Sequence, residues 1–173
     1  GEVSDIKKVV SPVLVNNEKT TLYHIDFSFD TLKLGGSAFA QSLGKVGDEV
    51  PCVQDAVYFR DAFMVVQELV NKGLLLAGHD ISAGGLITTL LEMCFANVEG
   101  GLEINLDKIK ETDIVKILFA ENPGIVIQIA DKHKDEVKKI LEDAGVGYIK
   151  LGKPTDERHI LVSKGDATYQ FGI

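Results

Sequence analysis

The 173 residues predict an α+β fold in which helices pack on one mixed β-sheet, and three features carry that expectation. Leu22–Phe27 and Leu102–Leu106 alternate apolar and polar residues as half-buried strands do, whereas Gly124–Ile129 is β-branched and mostly apolar, as a central strand is. Two longer segments, Asp55–Lys72 and Lys132–Ala144, repeat apolar residues near the helical period and run into Gly73 and Gly145. From Gly124 to Leu151 the order is strand, helix, strand, an arrangement that makes a parallel or split βαβ unit and gives the second half a ferredoxin-like character.

Taken in order, Leu22–Phe27 opens the sheet, and Leu34-Gly35-Gly36-Ser37 is a glycine turn leading into a short helix over Ala38–Leu43. Gly44–Cys52 holds two glycines and a proline and reads as a loop. In the Asp55–Lys72 helix, Val57, Phe59, Phe63, Val66 and Leu69 are the expected buried face. Leu74–Ala77 reads as a buried strand running to Asp80, and Leu86–Phe95 as the helix after it. Asp113–Phe119 is a short helix ending near Asn122-Pro123. Val137, Ile140, Leu141 and Ala144 should face the core from the Lys132–Ala144 helix, and Val146–Leu151, Ile160–Ser163 and Ala167–Phe171 complete the strands. No linker or repeat divides the chain, so residues 1–173 are expected to form a single domain.

Composition narrows the function. The net charge of −8 argues against a nucleic-acid or anionic-membrane surface, which needs a basic patch. No apolar run approaches a membrane span, and Gly1-Glu2-Val3 is no signal peptide. Cys52 and Cys94 lie far apart, with neither disulfide nor zinc spacing. Cys94 reads as core and Cys52 as a loop thiol, which suits a reducing, cytoplasmic compartment. The chain does not begin with Met, and the expectation is a piece cut from something longer.

The most informative stretch is Gly78-His79-Asp80-Ile81-Ser82-Ala83-Gly84-Gly85-Leu86, where a strand passes into a helix. A helix N-terminus presents amides and a positive dipole end to a phosphate. Adjacent glycines let backbone approach a ligand, and Asp80 offers the hard oxygen that Mg²⁺ prefers. The same residues also suit a plain N-cap and tight turn. His79 is a core residue, a base or a ligand; Glu92 is an edge residue of the helix or a buried partner; Glu121 and Asn122 either reach a ligand or close a helix and form a turn. His24, His133 and His159 read as surface or strand-face residues. No nucleophile, base and orienting group of the hydrolase kind assemble.

Four segments in register, Leu34–Gln41, Gly78–Leu86, Leu91–Ala96 and Leu118–Gln128, together resemble the C-terminal domain of the AIR-synthase-related (PurM-like) superfamily. Within it they are similar to the second such domain of large, single-chain phosphoribosylformylglycinamidine (FGAM) synthase. The resemblance implies three layers, with a mixed sheet between helices and partly ferredoxin-like topology. It implies part of a ligase that makes FGAM from FGAR, ATP and glutamine in purine biosynthesis. The family motif HDxSDGG places Mg²⁺ on the residue that is Asp80 here and implies nucleotide (ATP or ADP) binding by Ser82, Gly84 and Gly85. In large members the corresponding turn serves an auxiliary, structural nucleotide. Ala83 stands where that motif has its second Asp, so one carboxylate is missing, and Asn122-Pro123 replaces a stretch richer in Glu. The implied partners are Mg-nucleotide, N-terminal PurM-like domains and a glutaminase domain, and alone the chain is expected to be inactive. Unpartnered edges and apolar faces are expected to let the isolated chain form a homodimer. The alternatives are a domain of another PurM-like ATP-dependent enzyme (of the AIR synthase, selenophosphate synthetase or thiamine-phosphate kinase type) and a non-catalytic assembly module.

Overall fold

A computed structural model describes residues 5–17 and 19–173; the terminal residues read for a leader lie outside them. Seven strands form one sheet: β1 (Thr20–Asp26), β2 (Leu75–Ile81), β3 (Gly101–Asn105), β4 (Gly124–Ala130), β5 (Tyr148–Thr155), β6 (His159–Lys164) and β7 (Ala167–Gly172), in the order β2-β4-β1-β5-β3-β6-β7. The helices are α1 (Ala38–Ser42), α2 (Ala56–Asn71), α3 (Gly85–Phe95), α4 (Ile114–Phe119) and α5 (Lys134–Asp143).

The mixed α+β fold expected from the sequence is what forms. Both β4 and β5 run antiparallel to β1 and flank it, so β4-α5-β5 is a split βαβ unit. With β1, α2 and β2 it completes the ferredoxin-like order β2-β4-β1-β5. That character extends beyond the second half of the chain, because β1 and β2 from the first half supply two of its strands. The segment α3-β3-α4 is inserted between β2 and β4, and β3 adds a parallel pairing with β6.

Side-chain alternation splits the core in two. Leu22, Val126, Leu151, Ile104 and Val162 pack with Leu86, Leu90 and Met93 of α3 on one face. Tyr23, Ile25, Ile127 and Ile129 pack with α2 and α5 on the other. Helix, sheet and helix thus make three layers.

Three expectations need correction. The Leu74–Ala77 strand is not buried on both sides: among the described residues β2 pairs only with β4 and lies at the sheet edge, where Ala77 is buried and Leu76 is exposed. The apolar run instead supplies one face, and the outer edge is partly covered where the Gly78 N–H donates to the Ser11 carbonyl. In α2 the inward stripe is Ala62, Val65, Val66 and Leu69, while Val57, Phe63 and Met64 are exposed. Apolar residues lie nearly all round this helix, so its periodicity admits two overlapping stripes and contact with the sheet selects one. In α5, Val137 and Leu141 are buried, but Ala144 is the exposed C-cap.

Gln128 is a fully buried polar residue in the middle of β4. Its amide accepts from Val15 N–H at 2.9 Å and donates to the Val15 carbonyl at 2.7 Å and Thr20 Oγ at 2.8 Å. The side chain thereby pairs with an incoming backbone segment as a neighbouring strand would. Gln128→Leu strands both Val15 groups and is expected to lower stability by about 1–3 kcal/mol, read as a shift of the urea midpoint at unchanged slope.

Candidate functional site

The motif turn begins at the end of β2. His79, Asp80 and Ile81 pair with Val126, Ile125 and Gly124 of β4, so the central strand fixes where Asp80 leaves the sheet. The Asp80 side chain is 75% exposed, and its carbonyl accepts from Thr89 Oγ at 3.0 Å. Its carboxylate faces solvent from a rigid strand end. His79 is the more enclosed of the pair, with Nδ1 2.8 Å from the Asp80 carbonyl and Nε2 3.2 Å from Glu92 Oε2. His79 therefore links β2 to α3. Glu92 is the helix-edge residue the sequence favours, with its side chain 44% exposed.

Neither Asp80 nor Ser82 caps α3. The N-cap is Gly84, in left-handed conformation at φ +91°, without a side-chain cap. Ser82 is exposed, and its carbonyl accepts the Gly85 N–H at 3.0 Å. Gly85 is required by packing: a Cβ there would meet the backbone of Leu118, Phe119 and Ala120 at 2.7–2.8 Å. The close approach that the glycines permit is made, in Gly85, to the α4–β4 connection.

That connection also delivers Glu121. Its Oε1 accepts from Gly84 N–H at 2.8 Å and from Ala38 N–H at 2.7 Å. One carboxylate oxygen thus joins Gly84 of the motif turn to Ala38 at the start of α1, just past the Gly35–Gly36 turn; the two lie 37 and 83 residues away from it in sequence. A stacked Phe39–Phe119 pair, with centroids 4.8 Å apart, holds α1 against α4 beside it. Glu121 therefore neither closes a local turn nor stands idle. Sequence alone singles it out, but the contact spans too many residues for any spacing rule to find.

Asn122 is 5% exposed and turned inward. It donates to Ser28 Oγ at 3.2 Å and the Thr31 carbonyl at 3.0 Å, and accepts from Lys33 N–H at 3.3 Å. Within that loop Lys33 pairs with Asp30 at 2.8 Å, which holds the Asp30 carboxyl far below the usual carboxylate range. Asn122 and Asp30 organise the loop between β1 and α1.

Among the described residues, no three His, Cys, Asp or Glu side chains converge as a metal site. Asp80 remains a single exposed oxygen donor. It suits Mg²⁺ in kind, since that ion keeps several waters and takes one or two carboxylates together with phosphate oxygens. Ser82 beside it is exposed at the entry to α3.

The comparisons with known proteins agree with this architecture. Residues 24–164 match the model of the AIR synthase related protein, C-terminal domain. The chain belongs to that family. It is 37% identical over 167 residues to a probable phosphoribosylformylglycinamidine synthase of Arabidopsis thaliana described as chloroplastic/mitochondrial, covering 95% of this chain. It is 36% identical over 149 residues to the phosphoribosylformylglycinamidine synthase of Homo sapiens, covering 86% of this chain. The chain spans only 12% and 11% of the length of those relatives. Among solved structures it resembles Thermotoga maritima PurL complexed with ATP, with a TM-score of 0.73 at 14% identity over 96% of this chain and 27% of that one. It also resembles the hydrogenase maturation protein HypE, with a TM-score of 0.60 at 12% identity over 91% of this chain and 54% of that one. At these identities the structural likenesses establish the fold, and both belong to the PurM-like class.

Glu121→Ala removes an acceptor shared by two amides and is expected to cost about 1–3 kcal/mol. Hydrogen exchange should quicken at Ala38 and Gly84, while Glu121→Gln, which keeps an acceptor oxygen, should restore much of the protection. A second expectation concerns the thiols. Cys52 is exposed, whereas Cys94 is buried and its thiol is pushed up to about 11, chiefly by burial. A thiolate-directed reagent near neutral pH should label one cysteine in the folded chain and two after unfolding.

Proposed function

We propose that this chain is an AIR-synthase-related C-terminal domain of an FGAM synthase. The parent enzyme is then an ATP- and glutamine-dependent ligase of purine biosynthesis that converts FGAR to FGAM. The observation that carries this reading is the 37% and 36% identity, over 95% and 86% of the chain, to two proteins named for that activity. In this role the domain contributes one wall of a Mg-nucleotide site. Asp80 supplies a carboxylate oxygen to Mg²⁺, and Ser82 offers its hydroxyl to a phosphate. Gly85 seats α3 tightly enough to hold both in place, and Gly84 spends its N–H on Glu121 and shapes the turn. When bound, Mg²⁺ neutralises phosphate charge.

The geometry supports a partial site. A lone carboxylate on an exposed strand end needs further oxygen ligands from nucleotide, water and groups outside this chain. The remaining PurM-like domains and a glutaminase domain would complete the enzyme, so the chain alone is inactive. Exposed apolar residues such as Phe29, Val46, Val50, Val57 and Met64 give those domains, or a second copy of the chain, a surface to cover. Two free cysteines, one exposed, suit a reducing compartment such as the cytoplasm, and among the described residues no helix is long and apolar enough to cross a membrane.

The test is conversion of FGAR to FGAM by the complete gene product, with ATP and glutamine supplied. Turnover is expected there and none from the 173-residue chain. In the complete protein, Asp80→Asn should weaken Mg-nucleotide binding about tenfold or more, a loss of about 1.4 kcal/mol, with a smaller effect in the absence of Mg²⁺. A folded gene product that hydrolyses ATP without making FGAM overturns the assignment. Unchanged Mg-nucleotide affinity in the variant overturns the role of Asp80.

A further inference from the structure

Below the Ile81–Ser82 turn, on the sheet face covered by α3 and α4, lies a cavity of about 320 Å³. Its walls are aliphatic, formed by Ile81, Leu86, Ile117 and Ile149, with Leu32 and Ile109 at the sides. The polar groups that reach it are of two kinds. Asp30 and Asn122 are engaged in the loop bonds to Lys33, Ser28 and Thr31 described above. His24 and Asp26, both on β1, are the available ones. Asp26 accepts from Ser28 N–H, Ser28 Oγ and Phe29 N–H, and those three bonds leave a carboxylate part of its accepting capacity. The His24 ring lies against Gly124. Burial lowers the His24 pKa against the opposing pull of Asp26 and favours the neutral imidazole, in which one ring nitrogen donates and the other accepts.

Apolar walls, a volume of this size and a few converging polar groups are the usual form of a small-ligand site. The charges select the ligand. Lys33 neutralises Asp30; Lys110 also lines the cavity but is an exposed residue whose charge water screens, leaving Asp26 as the less exposed charge that a guest meets. A phosphate or carboxylate would face that charge across low dielectric. Ile81 and Leu86 of the motif line the cavity but Asp80 does not, so the cavity lies beneath the turn without including its proposed metal-binding carboxylate.

We propose that this cavity is a binding site for a small, flat, uncharged heterocycle with an N–H donor, clamped between Ile81, Ile117 and Ile149 and hydrogen-bonded at its edge by His24 and Asp26. The heterocycle enters without a phosphate. Its N–H donates to the Asp26 carboxylate, and a ring nitrogen of the guest accepts from the protonated nitrogen of His24.

The test uses benzimidazole, uncharged under mildly alkaline conditions, with benzoate as an anion of similar ring size. Titrated into the isotopically labelled chain, benzimidazole should shift the amide resonances of His24, Ile81, Ile117 and Ile149 saturably, and benzoate should not. His24→Phe keeps a ring but removes the edge bonds and should weaken binding about tenfold. Ile149→Trp should fill the space and abolish binding, with a dispersed spectrum showing that the chain is folded; if this variant does not fold, His24→Phe decides. Asp80→Asn should leave benzimidazole affinity unchanged. The absence of saturable shifts, equal binding of benzoate, or full affinity in His24→Phe overturns the proposal.

Discussion

The oxygen Glu121 Oε1 is the point on which the site depends. It accepts from the first amide of α1, whose entry Ser37 also caps, and from the N-cap amide of α3, which has no side-chain cap of its own, so two helix entries are brought to one place. Charge-assisted bonds of this kind are short and strong, and a carboxylate there also meets the positive ends of both helix dipoles. Gly85 packs on the backbone of 118–120 just before Glu121. The chain between α4 and β4 is therefore gripped from both sides. The motif turn is rigid because a connection from the other end of the inserted segment holds it.

The second constraint is the sheet order. Placing β4 between β1 and β2 buries the most apolar strand and leaves β2 at the edge. An edge strand can end in an exposed carboxylate without a desolvation cost, and Asp80 does so. The same topology puts His79 inward against Glu92 of α3, so neighbouring residues of the motif divide the work. One fastens the strand to the helix, and the other faces outward. Asn122 and Gln128 anchor flanking loops to either end of β4. The central strand thus organises the N-terminal segment, the β1–α1 loop and the motif turn together.

Much of the secondary structure was legible in the sequence because its signals are local. Asp55 and Asp113 are side-chain N-caps where the sequence places helix starts. Gly145, at φ +68°, follows the end of α5 as a glycine stop should. The ferredoxin-like character follows from strand-helix-strand order, which handedness and loop length restrict to few arrangements. The inward faces of α2 and α5 were read only in part, since apolar residues flank α2 on several sides and only contact with the sheet decides which are covered.

The sequence by itself determined the elements, their order, the family motif and the residue types available at the turn, because capping, periodicity and glycine punctuation act over a few residues. Tertiary structure alone decided what those residues do. It made Gly84 the cap instead of Ser82 or Asp80, set Gly85 against backbone, turned Asn122 inward, and joined Glu121 to Ala38 and Gly84. It also brought His24 and Asp26 to a cavity shared with residues from β2, α3, α4 and β5. These contacts join residues far apart in the chain, and their energies depend on burial and exact approach, neither of which is encoded in any short run of sequence.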